Sequence, residues 1–317
     1  MKILIWQTAY LGDVVLATPL IQTLKKNFPD AKIGFVGRPF IKELFKDEEV
    51  ELIPYSKKFK ESFTVIRKIK NYDVVISPHR SMRTALILFF SGIKERIGFD
   101  RSDLPFLYTK LVPHRWELHE VDRNLELLKP LGVKEFIRET KLKMKEEEYR
   151  KILNKFNLKE KKYIVISPFS NFPLKEWSLK NWKELVRKLN TPVVITGTKE
   201  DEERSKEIDG KNVVNLVGKT SLREFMGVLK GAKFAISNDS SAVHVANAFR
   251  VPALTIYTAT SPKYGFYPLI GEYIQNPAPC SPCSPNPKKC KTGTKECLYF
   301  PEPDYVLEKA IPYIKDL

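Results

Sequence analysis

The sequence predicts an α/β protein made of two doubly wound domains, each built on a parallel β-sheet. Its 317 residues are 43% hydrophobic, which suffices for two packed cores. Short β-branched runs alternate with helical patterns, as is typical of βαβ units. This alternation starts again after a Lys/Glu-rich stretch at 141–162. We therefore place the first domain at 1–155 and the second at 156–317, with the last helix free to pack back on the first domain.

The first domain begins with a regular series of apolar runs. Its predicted strands lie at 3–5, 33–36 and 74–76. The segment from about Asp13 to Asn27 is predicted to be a helix, because Leu16, Leu20 and Leu24 fall on one face. Pro19 predicts a kink in this helix.

The second domain repeats the pattern with a longer strand series. The predicted strands lie at 163–167, 192–196, 213–217, 234–237 and 253–257. Ser178 is a suitable N-cap for a helix whose buried face carries Trp182, Leu185 and Val186. A further helix is predicted from Ser221 to about 230. Ligands of such sheets bind beyond the carboxyl ends of the strands.

The charge balance predicts an anionic partner. Lys and Arg number 54 against 38 Asp and Glu, which gives a net charge of +16. Such a balance favours nucleic acid, an anionic membrane face or a phosphorylated substrate. Without an RNA-binding aromatic signature or a zinc-finger helix, nucleic acid is not expected as a partner. No G-x-G-x-x-G or G-x-x-x-x-G-K-[ST] motif occurs, which argues against a nicotinamide dehydrogenase and a P-loop kinase.

The amino terminus is apolar but does not fit a signal peptide. Gln7, Thr8, Gly12 and Asp13 interrupt its apolar run. The longest other apolar stretch, at 85–90, is too short to span a bilayer. We expect a cytoplasmic protein that is at most peripheral to the membrane.

The stretch SNDSSAVH at 237–244 places several polar groups directly after a predicted strand. Asp239 ends the strand, and Ser240 and Ser241 can cap the helix that follows. Their hydroxyls and the free N–H groups of the first helical turn would suit a pyrophosphate. His244 lies one turn further on, where its ring could reach a phosphate oxygen. The alternative is an ordinary helix cap with a half-buried histidine.

Two other strand-to-helix loops carry candidate chemistry. In SPFSNFPLKEW at 167–177, Ser170 and Asn171 precede Lys175, which could neutralise a phosphate leaving group. In TAYLGDVV at 8–15, Gly12 permits a tight turn and Asp13 could act as a general base. The alternatives are a surface lysine and an aspartate favoured only by the helix dipole.

Together these three stretches resemble the bacterial heptosyltransferases of lipopolysaccharide inner-core synthesis, which have the GT-B fold of two Rossmann-like domains. The resemblance spans nearly the whole chain in the right order. It rests on Gly12-Asp13 with Pro19, on Lys175-Glu176-Trp177, on the turn at 239–244, on TSPKYGFYP at 260–268, and on His119 with Arg123-Asn124. Ser241 stands where the family usually has glycine, and Thr258-Ala259 where glycine-proline is frequent.

The resemblance implies a role for each matching position. Asp13 would deprotonate the acceptor hydroxyl beside Gly12, and Lys175 would act on the leaving group. The donor would be bound by Ser170, Asn171, Lys175, Asp201 (ribose), Thr220 (near the adenine), Asp239 (the sugar), Ser240, Ser241 and His244. The phosphates or acid groups of the acceptor would meet Arg123, together with Arg80 and Arg83.

The implied reaction is an inverting transfer of heptose from ADP-L-glycero-D-manno-heptose. The acceptor would be Kdo–lipid A or a heptosylated inner core at the anionic inner face of the membrane, with the second-heptose type favoured. One carboxylate suffices as base. Lysine, histidine and helix N-termini would meet the diphosphate charge, so catalysis would need no cofactor. The alternatives are the same fold with another NDP-sugar and anionic acceptor, or a non-catalytic nucleotide-binding module.

The four cysteines form a separate cluster in a Pro- and Lys-rich segment. Cys280, Cys283, Cys290 and Cys297 are the only cysteines of the chain. A C-x-x-C pair followed by two more cysteines could hold a structural zinc ion. Disulfides and free thiols are the two alternatives. In each case the cluster is expected to stabilise the fold and not to take part in catalysis.

Overall fold

The computed structural model describes residues 1–317, which divide into two compact units, Met1–Lys143 and Met144–Leu317. Each unit contains one six-stranded sheet in which every strand pairs in parallel with its neighbours. The carboxyl ends of all strands in a unit therefore meet at one edge of its sheet, where polar loops can gather.

The sheet of the first unit has the strand order β3-β2-β1-β4-β5-β6. Its central strand carries Ile5 opposite Phe35 on one neighbour and Ile76 on the other. All three predicted strands of this domain are present. The strands are β1 (Lys2–Trp6), β2 (Lys32–Gly37), β3 (Glu51–Pro54), β4 (Val74–Ser77), β5 (Glu95–Phe99) and β6 (Lys110–Val112).

Six helices connect these strands. They are α1 (Leu11–Leu16), α2 (Thr18–Asn27), α3 (Ile41–Leu44), α4 (Phe59–Ile69), α5 (Met82–Phe90) and α6 (Glu120–Glu126). The single kinked helix predicted at 13–27 is two helices, which meet at Ala17. Pro19 lacks the N–H that would serve the carbonyl of Val15, and the hydroxyl of Thr18 donates to that oxygen at 2.7 Å. The chain thus changes direction without leaving the carbonyl unsatisfied.

The sheet of the second unit has the strand order β12-β11-β10-β7-β8-β9. Its elements in chain order are α7 (Glu146–Lys155), β7 (Ile164–Ser167), α8 (Leu179–Lys188), β8 (Val193–Ile195), α9 (Glu202–Ser205), β9 (Val213–Asn215), α10 (Leu222–Gly231), β10 (Phe234–Asn238), α11 (Ser241–Ala248), β11 (Ala253–Tyr257), β12 (Gly271–Gln275) and α12 (Pro303–Ile314). The predicted caps of α8 and α10 are present, since Ser178 accepts from the N–H of Asn181 and Ser221 from that of Glu224.

The division between the units falls inside the Lys/Glu-rich stretch but before α7. This helix belongs to the second unit because it packs against α10. Arg223 pairs with Glu148 at 2.6 Å, and Lys155 pairs with Glu224 at 2.5 Å. Residues 144–155, which we assigned to the first domain, are thus part of the second unit.

The last helix, which we left free to pack on the first domain, packs within the second unit. Helix α12 packs on α8, and its Val306 and Ala310 are buried with Trp182 in the core of the second unit. The ring of Tyr313 stacks on that of Phe234 with centroids 4.5 Å apart. The apolar face of α12 therefore completes the second sheet's own core.

No helix of the chain combines the length and the apolarity needed to cross a bilayer.

Candidate functional site

Asp13 lies in the first turn of α1, just beyond the carboxyl end of β1. One carboxylate oxygen accepts the N–H of Tyr10 at 3.2 Å, and the side chain remains partly exposed. Gly12 beside it is buried. The carboxylate is thus fixed at the binding edge of the first sheet and can still reach solvent, as a general base must.

Basic groups surround Asp13, and two of them were not among the predicted site residues. The pKa of Lys57 is lowered by burial first and then by Arg38 and Arg83, while Asp13 opposes this shift. A guanidinium nitrogen of Arg83 donates to the carbonyl of Lys57 at 2.6 Å. Arg38 directly follows β2, the strand predicted at 33–36, which is a position where site residues are expected, whereas Lys57 lies between β3 and α4 without such a signal.

His79 contacts residues at the same carboxyl edge of the first sheet. Its Nδ1 lies 2.7 Å from the hydroxyl of Thr84 and 3.4 Å from that of Thr8. Burial, followed by the charges of Lys57, Arg38 and Arg80, lowers the pKa of His79 to about 4. The ring is therefore neutral at pH 7, and its role there is to hold two loops by hydrogen bonds. Sequence reasoning did not single out this histidine.

Arg80 and Arg123 both lie against the ring of Trp116, with guanidinium carbons 5.4 and 5.6 Å from its centroid. Arg123 is only 1% exposed, and its Nη2 donates to Glu120 at 2.7 Å. The guanidinium of Arg123 is thus buried against Glu120 and the ring of Trp116. The neighbouring His119 caps α6, since its Nδ1 accepts the N–H of Val121 at 3.1 Å.

In the second unit, the structure brings two of the predicted loops together. The ammonium of Lys175 donates to a carboxylate oxygen of Asp239 at 2.8 Å, and the two side chains are 13% and 12% exposed. Asn238 fastens the loops to each other, because it accepts the N–H of Trp177 at 3.0 Å and donates to the carbonyl of Pro168 at 2.7 Å. A fixed cation thus lies directly beyond β10.

The amino end of α11 adjoins this ion pair. Ser240 is the N-cap, and its hydroxyl accepts the N–H of Ala242 at 3.3 Å and lies 2.7 Å from the hydroxyl of Ser237. Ser241 is the first helical residue, and His244 follows on the buried side, 5% exposed. A helix amino end next to a lysine is suited to bind a diphosphate.

The remaining predicted donor residues lie at the same sheet edge, but some are engaged locally. The hydroxyl of Ser170 accepts the N–H of Phe172 at 3.2 Å, whereas Asn171 is exposed. The carboxylate of Asp201 accepts the N–H and the hydroxyl of Thr198 at 3.0 and 2.8 Å. Thr220 is partly buried just before α10. Both contacts are made by Oδ2 of Asp201, whereas its Oδ1 lies 3.7 Å from Nη1 of Arg204.

The four cysteines lie in one loop segment, where Cys297 is buried and the other three are half-buried. Cys297 is buried with Leu174 and Ala259, and Cys283 and Cys290 pack against this cluster. Burial first, and then the other three thiols, raises the pKa of Cys297 to about 11. Four sulfur ligands would suit zinc, but no three such groups are arranged to hold a metal ion. The choice between zinc, disulfides and free thiols therefore stays a prediction.

Two six-stranded parallel sheets with flanking helices are the architecture of the GT-B fold. The chain belongs to glycosyltransferase family 9 (heptosyltransferase), which residues 63–294 match.

Several characterised relatives are similar over most of the chain. Lipopolysaccharide heptosyltransferase 3 of Escherichia coli K12 is 29% identical over 79% of this chain and 80% of its own length. Lipooligosaccharide heptosyltransferase 2 of Haemophilus influenzae is 25% identical over 83% of this chain and 85% of its own.

Solved structures confirm the fold. The ADP-heptose LPS heptosyltransferase II of E. coli superimposes with a TM-score of 0.81 at 23% identity, covering 100% of this chain and 99% of its own. A glycosyltransferase family 9 protein of Veillonella parvula gives a TM-score of 0.87 at 20% identity, covering 100% and 98%.

Proposed function

We propose that this glycosyltransferase transfers a heptose from ADP-L-glycero-D-manno-heptose to the inner core of lipopolysaccharide. The observation that carries the proposal is the Lys175–Asp239 ion pair at the amino end of α11. It provides a cation and free helical N–H groups where a nucleoside diphosphate would bind in a sheet of this kind. The names of the E. coli and H. influenzae relatives supply the sugar and the pathway.

On the donor side, the diphosphate would lie on the amino end of α11. Ser240 and Ser241 would contribute hydroxyl or backbone N–H groups, and Lys175 would turn from Asp239 toward the phosphates. Asp239 would then be available to hydroxyls of the donor sugar. Negative charge on the departing ADP grows in the transition state, so a lysine fixed there favours the chemical step. His244 is buried, so it would support the turn rather than contact the diphosphate in this conformation.

On the acceptor side, Asp13 would take the proton of the attacking hydroxyl. That oxygen would form the new bond to the anomeric carbon as the bond to the diphosphate breaks, which inverts the configuration. Lys57 interacts with the charges of Asp13, Arg38 and Arg83, and these three basic groups would bind the acid groups of the acceptor. Arg80 would also bind these acid groups, and Arg123 would position Arg80 through the ring of Trp116, which both guanidinium groups contact.

The reaction needs no cofactor, because these groups already supply the base and the neutralising charge. A zinc ion bound by the four cysteines would stabilise their segment only. Among possible acceptors we favour a core that already carries one heptose, on the strength of the TSPKYGFYP segment. Such acceptors are lipid-anchored, so we also propose that the enzyme works at the cytoplasmic face of the inner membrane as a peripheral protein.

A donor and acceptor panel tests this proposal. The purified protein is incubated with ADP-heptose, ADP-glucose, UDP-glucose or UDP-N-acetylglucosamine, with Kdo–lipid A and its singly heptosylated form as acceptors. Mass spectrometry of the lipid and measurement of nucleotide release should show heptose addition from ADP-heptose only. Transfer from a UDP-sugar would support the same fold with another donor, and ADP binding without any transfer would support the non-catalytic module.

A further inference from the structure

Large exposed apolar side chains are concentrated on one layer of the first unit. Helix α4 exposes Phe59 and Phe63 at 78% and 58%, and α5 ends with Phe90 at 66%. The turn after β5 exposes Phe106 at 76%. Met82, Leu86 and Phe89 on α5 are also exposed. Single exposed apolar residues are common on proteins, but a continuous group marks an interaction surface.

These side chains point outward from the same layer. Val65 and Ile69 of α4 are buried in one core cluster with Ala85, Ile87 and Leu88 of α5, so both helices cover the same face of the sheet. Helix α5 also contacts both α4 and the turn at 105–107.

Helical spacing makes the outward side of this layer continuous. Phe59 and Phe63 are four residues apart and contact each other edge to face, with centroids 5.6 Å apart. Met82, Leu86 and Phe89 or Phe90 recur at the same spacing on α5. We call this outward surface the aromatic face; it comprises Phe59, Phe63, Met82, Leu86, Phe89, Phe90 and Phe106.

Basic residues border the aromatic face. Lys58, Lys60, Arg67 and Lys68 are exposed along α4, and Lys94 and Arg101 are exposed next to α5 and the turn. Arg96 lies over the ring of Phe89 at 5.7 Å.

The acidic groups of this region are engaged elsewhere. Glu95 pairs with Lys110, Asp103 accepts the N–H of Met82, and Glu61 accepts from Ser56. Glu61 and Asp103 keep their charges in these hydrogen bonds, but the exposed basic residues of the border outnumber them, so the border is net positive and its occupant should be anionic.

The aromatic face begins beside the proposed base. Lys57, which immediately precedes α4, is within the electrostatic field of Asp13 and of Arg83 on α5. From this end the face extends along α5 for about 13 Å, at a rise of about 1.5 Å per residue. A lipid-anchored acceptor held at the face would bring its head group toward Asp13.

We propose that the aromatic face docks on the surface of an anionic lipid bilayer, with its rings in the head-group region and its basic border against the lipid phosphates. A second copy of this chain is a poor occupant, because two surfaces with the same positive border would repel each other. The inference rests on the proposed function for the lipid-anchored acceptor, but it concerns a surface distinct from the donor and acceptor residues.

Vesicle sedimentation tests the docking surface. The wild type should bind vesicles of phosphatidylcholine with phosphatidylglycerol and bind pure phosphatidylcholine weakly. The double substitution Phe63→Ser/Phe90→Ser should lower the partition coefficient by about tenfold or more, because two rings leave the interface. Lys60→Glu/Lys68→Glu should reduce binding to the anionic vesicles only. The matched control Tyr305→Ser/Ile311→Ser changes exposed apolar residues of α12 and should bind like the wild type.

Two further measurements separate the outcomes. Sedimentation velocity without lipid should give the same mass for the wild type and Phe63→Ser/Phe90→Ser; loss of a dimer in the variant would assign the face to a second copy and overturn the proposal. Transfer to a water-soluble, deacylated acceptor should be unchanged in that variant, while transfer to the acceptor in vesicles should fall. Vesicle binding requires no donor, so its result tests the docking surface separately from the assignment of heptose as the transferred sugar. Vesicle binding by Phe63→Ser/Phe90→Ser that equals the binding of the wild type would overturn the docking proposal.

Discussion

At the scale of single residues, the proposed donor site contains a lysine that an ion pair already holds in place. Lys175 and Asp239 are both mostly buried and 2.8 Å apart. The carboxylate keeps the ammonium oriented beside the amino end of α11. Binding of a diphosphate then exchanges one anionic partner of Lys175 for another, so little reorganisation is needed at the moment of transfer.

Replacing this lysine should affect binding and chemistry together. Lys175→Ala should weaken ADP binding and lower kcat by about 10²- to 10³-fold, as expected when one electrostatic group is lost from a leaving-group site. Calorimetry with ADP and steady-state kinetics are the measurements. Lys180→Ala, an exposed lysine on α8, is the matched control. Normal affinity and turnover in Lys175→Ala would make Lys175 an ordinary surface residue.

His79 gives a pH dependence of stability with a defined sign. Its pKa is about 4 in the folded protein, mainly because of burial, and about 6.5 in an unfolded chain. Below pH 6.5 the unfolded state takes up a proton that the folded state excludes until about pH 4. The contribution of His79 to the free energy of unfolding should therefore be fully present above about pH 6.5 and should be lost as the pH falls from there toward 4.

A conservative variant isolates this contribution. His79→Gln can still hydrogen-bond to Thr84 but does not titrate. Urea unfolding at about pH 7 and about pH 5 should show a smaller loss of stability for the variant than for the wild type. His114 also has its pKa lowered to about 4, chiefly by burial, and remains in both proteins. Equal losses would mean that His79 is not the responsible group.

The sequence revealed the motif residues of the site but not their surroundings. Asp13, Lys175, Asp239 and Ser240 follow strands, and parallel sheets bring such positions to one edge. The proximity of Lys175 to Asp239 required the folded structure, because 64 residues separate them. Arg38 and His79 also follow predicted strands, at 33–36 and 74–76, so their positions could have indicated them. Lys57 and the buried ion pair of Arg123 with Glu120 had no such signal in the sequence.

At the scale of elements, the strands missed from the sequence are the short or charged ones. β3, β5, β6 and β12 each contain a charged residue at their start or next to it. Central strands such as β1, β7 and β10 were found because burial on both faces demands continuous apolar residues. Strands nearer the edges of a sheet do not need a continuous apolar run, so their sequences carry a weaker signal.

The cysteine segment is an element whose chemistry can be measured directly. It adjoins the loop of Lys175, since the N–H of Cys283 donates to Ala259 at 2.8 Å and Ala259 donates to Leu174 at 3.3 Å. Elemental analysis with thiol counting distinguishes bound metal, disulfides and four free thiols. In each case transfer activity should survive a chelator, because the proposed mechanism uses no metal. Loss of transfer on chelation, restored by metal, would contradict this mechanism.

At the scale of the whole molecule, the net charge of +16 should act on the acceptor more than on the donor. The basic groups near Asp13 are partly or fully exposed, and salt screens exposed charges over about 8–10 Å. The KM for the acceptor should therefore rise with ionic strength, whereas ADP affinity, which depends on short contacts at α11, should change less. Arg83→Ala should raise the acceptor KM in the same way and leave ADP binding unchanged. If high salt or Arg83→Ala instead weakens ADP binding and leaves the acceptor KM unchanged, the assignment of the acceptor to the first unit and of the donor to the second is wrong.

The central claim is that Asp13 is the base of a heptose transfer from ADP-heptose, and one comparison tests it most directly. ADP release and heptosylated lipid are measured for the wild type and Asp13→Asn at saturating substrates. The account predicts product from the wild type and a rate about 10²- to 10⁴-fold lower in the variant, since an amide cannot accept the acceptor's proton. ADP affinity and thermal unfolding should be unchanged, because only one carboxylate oxygen is replaced. A variant rate within a few-fold of the wild type, or a wild type that forms no heptosylated product, would contradict it.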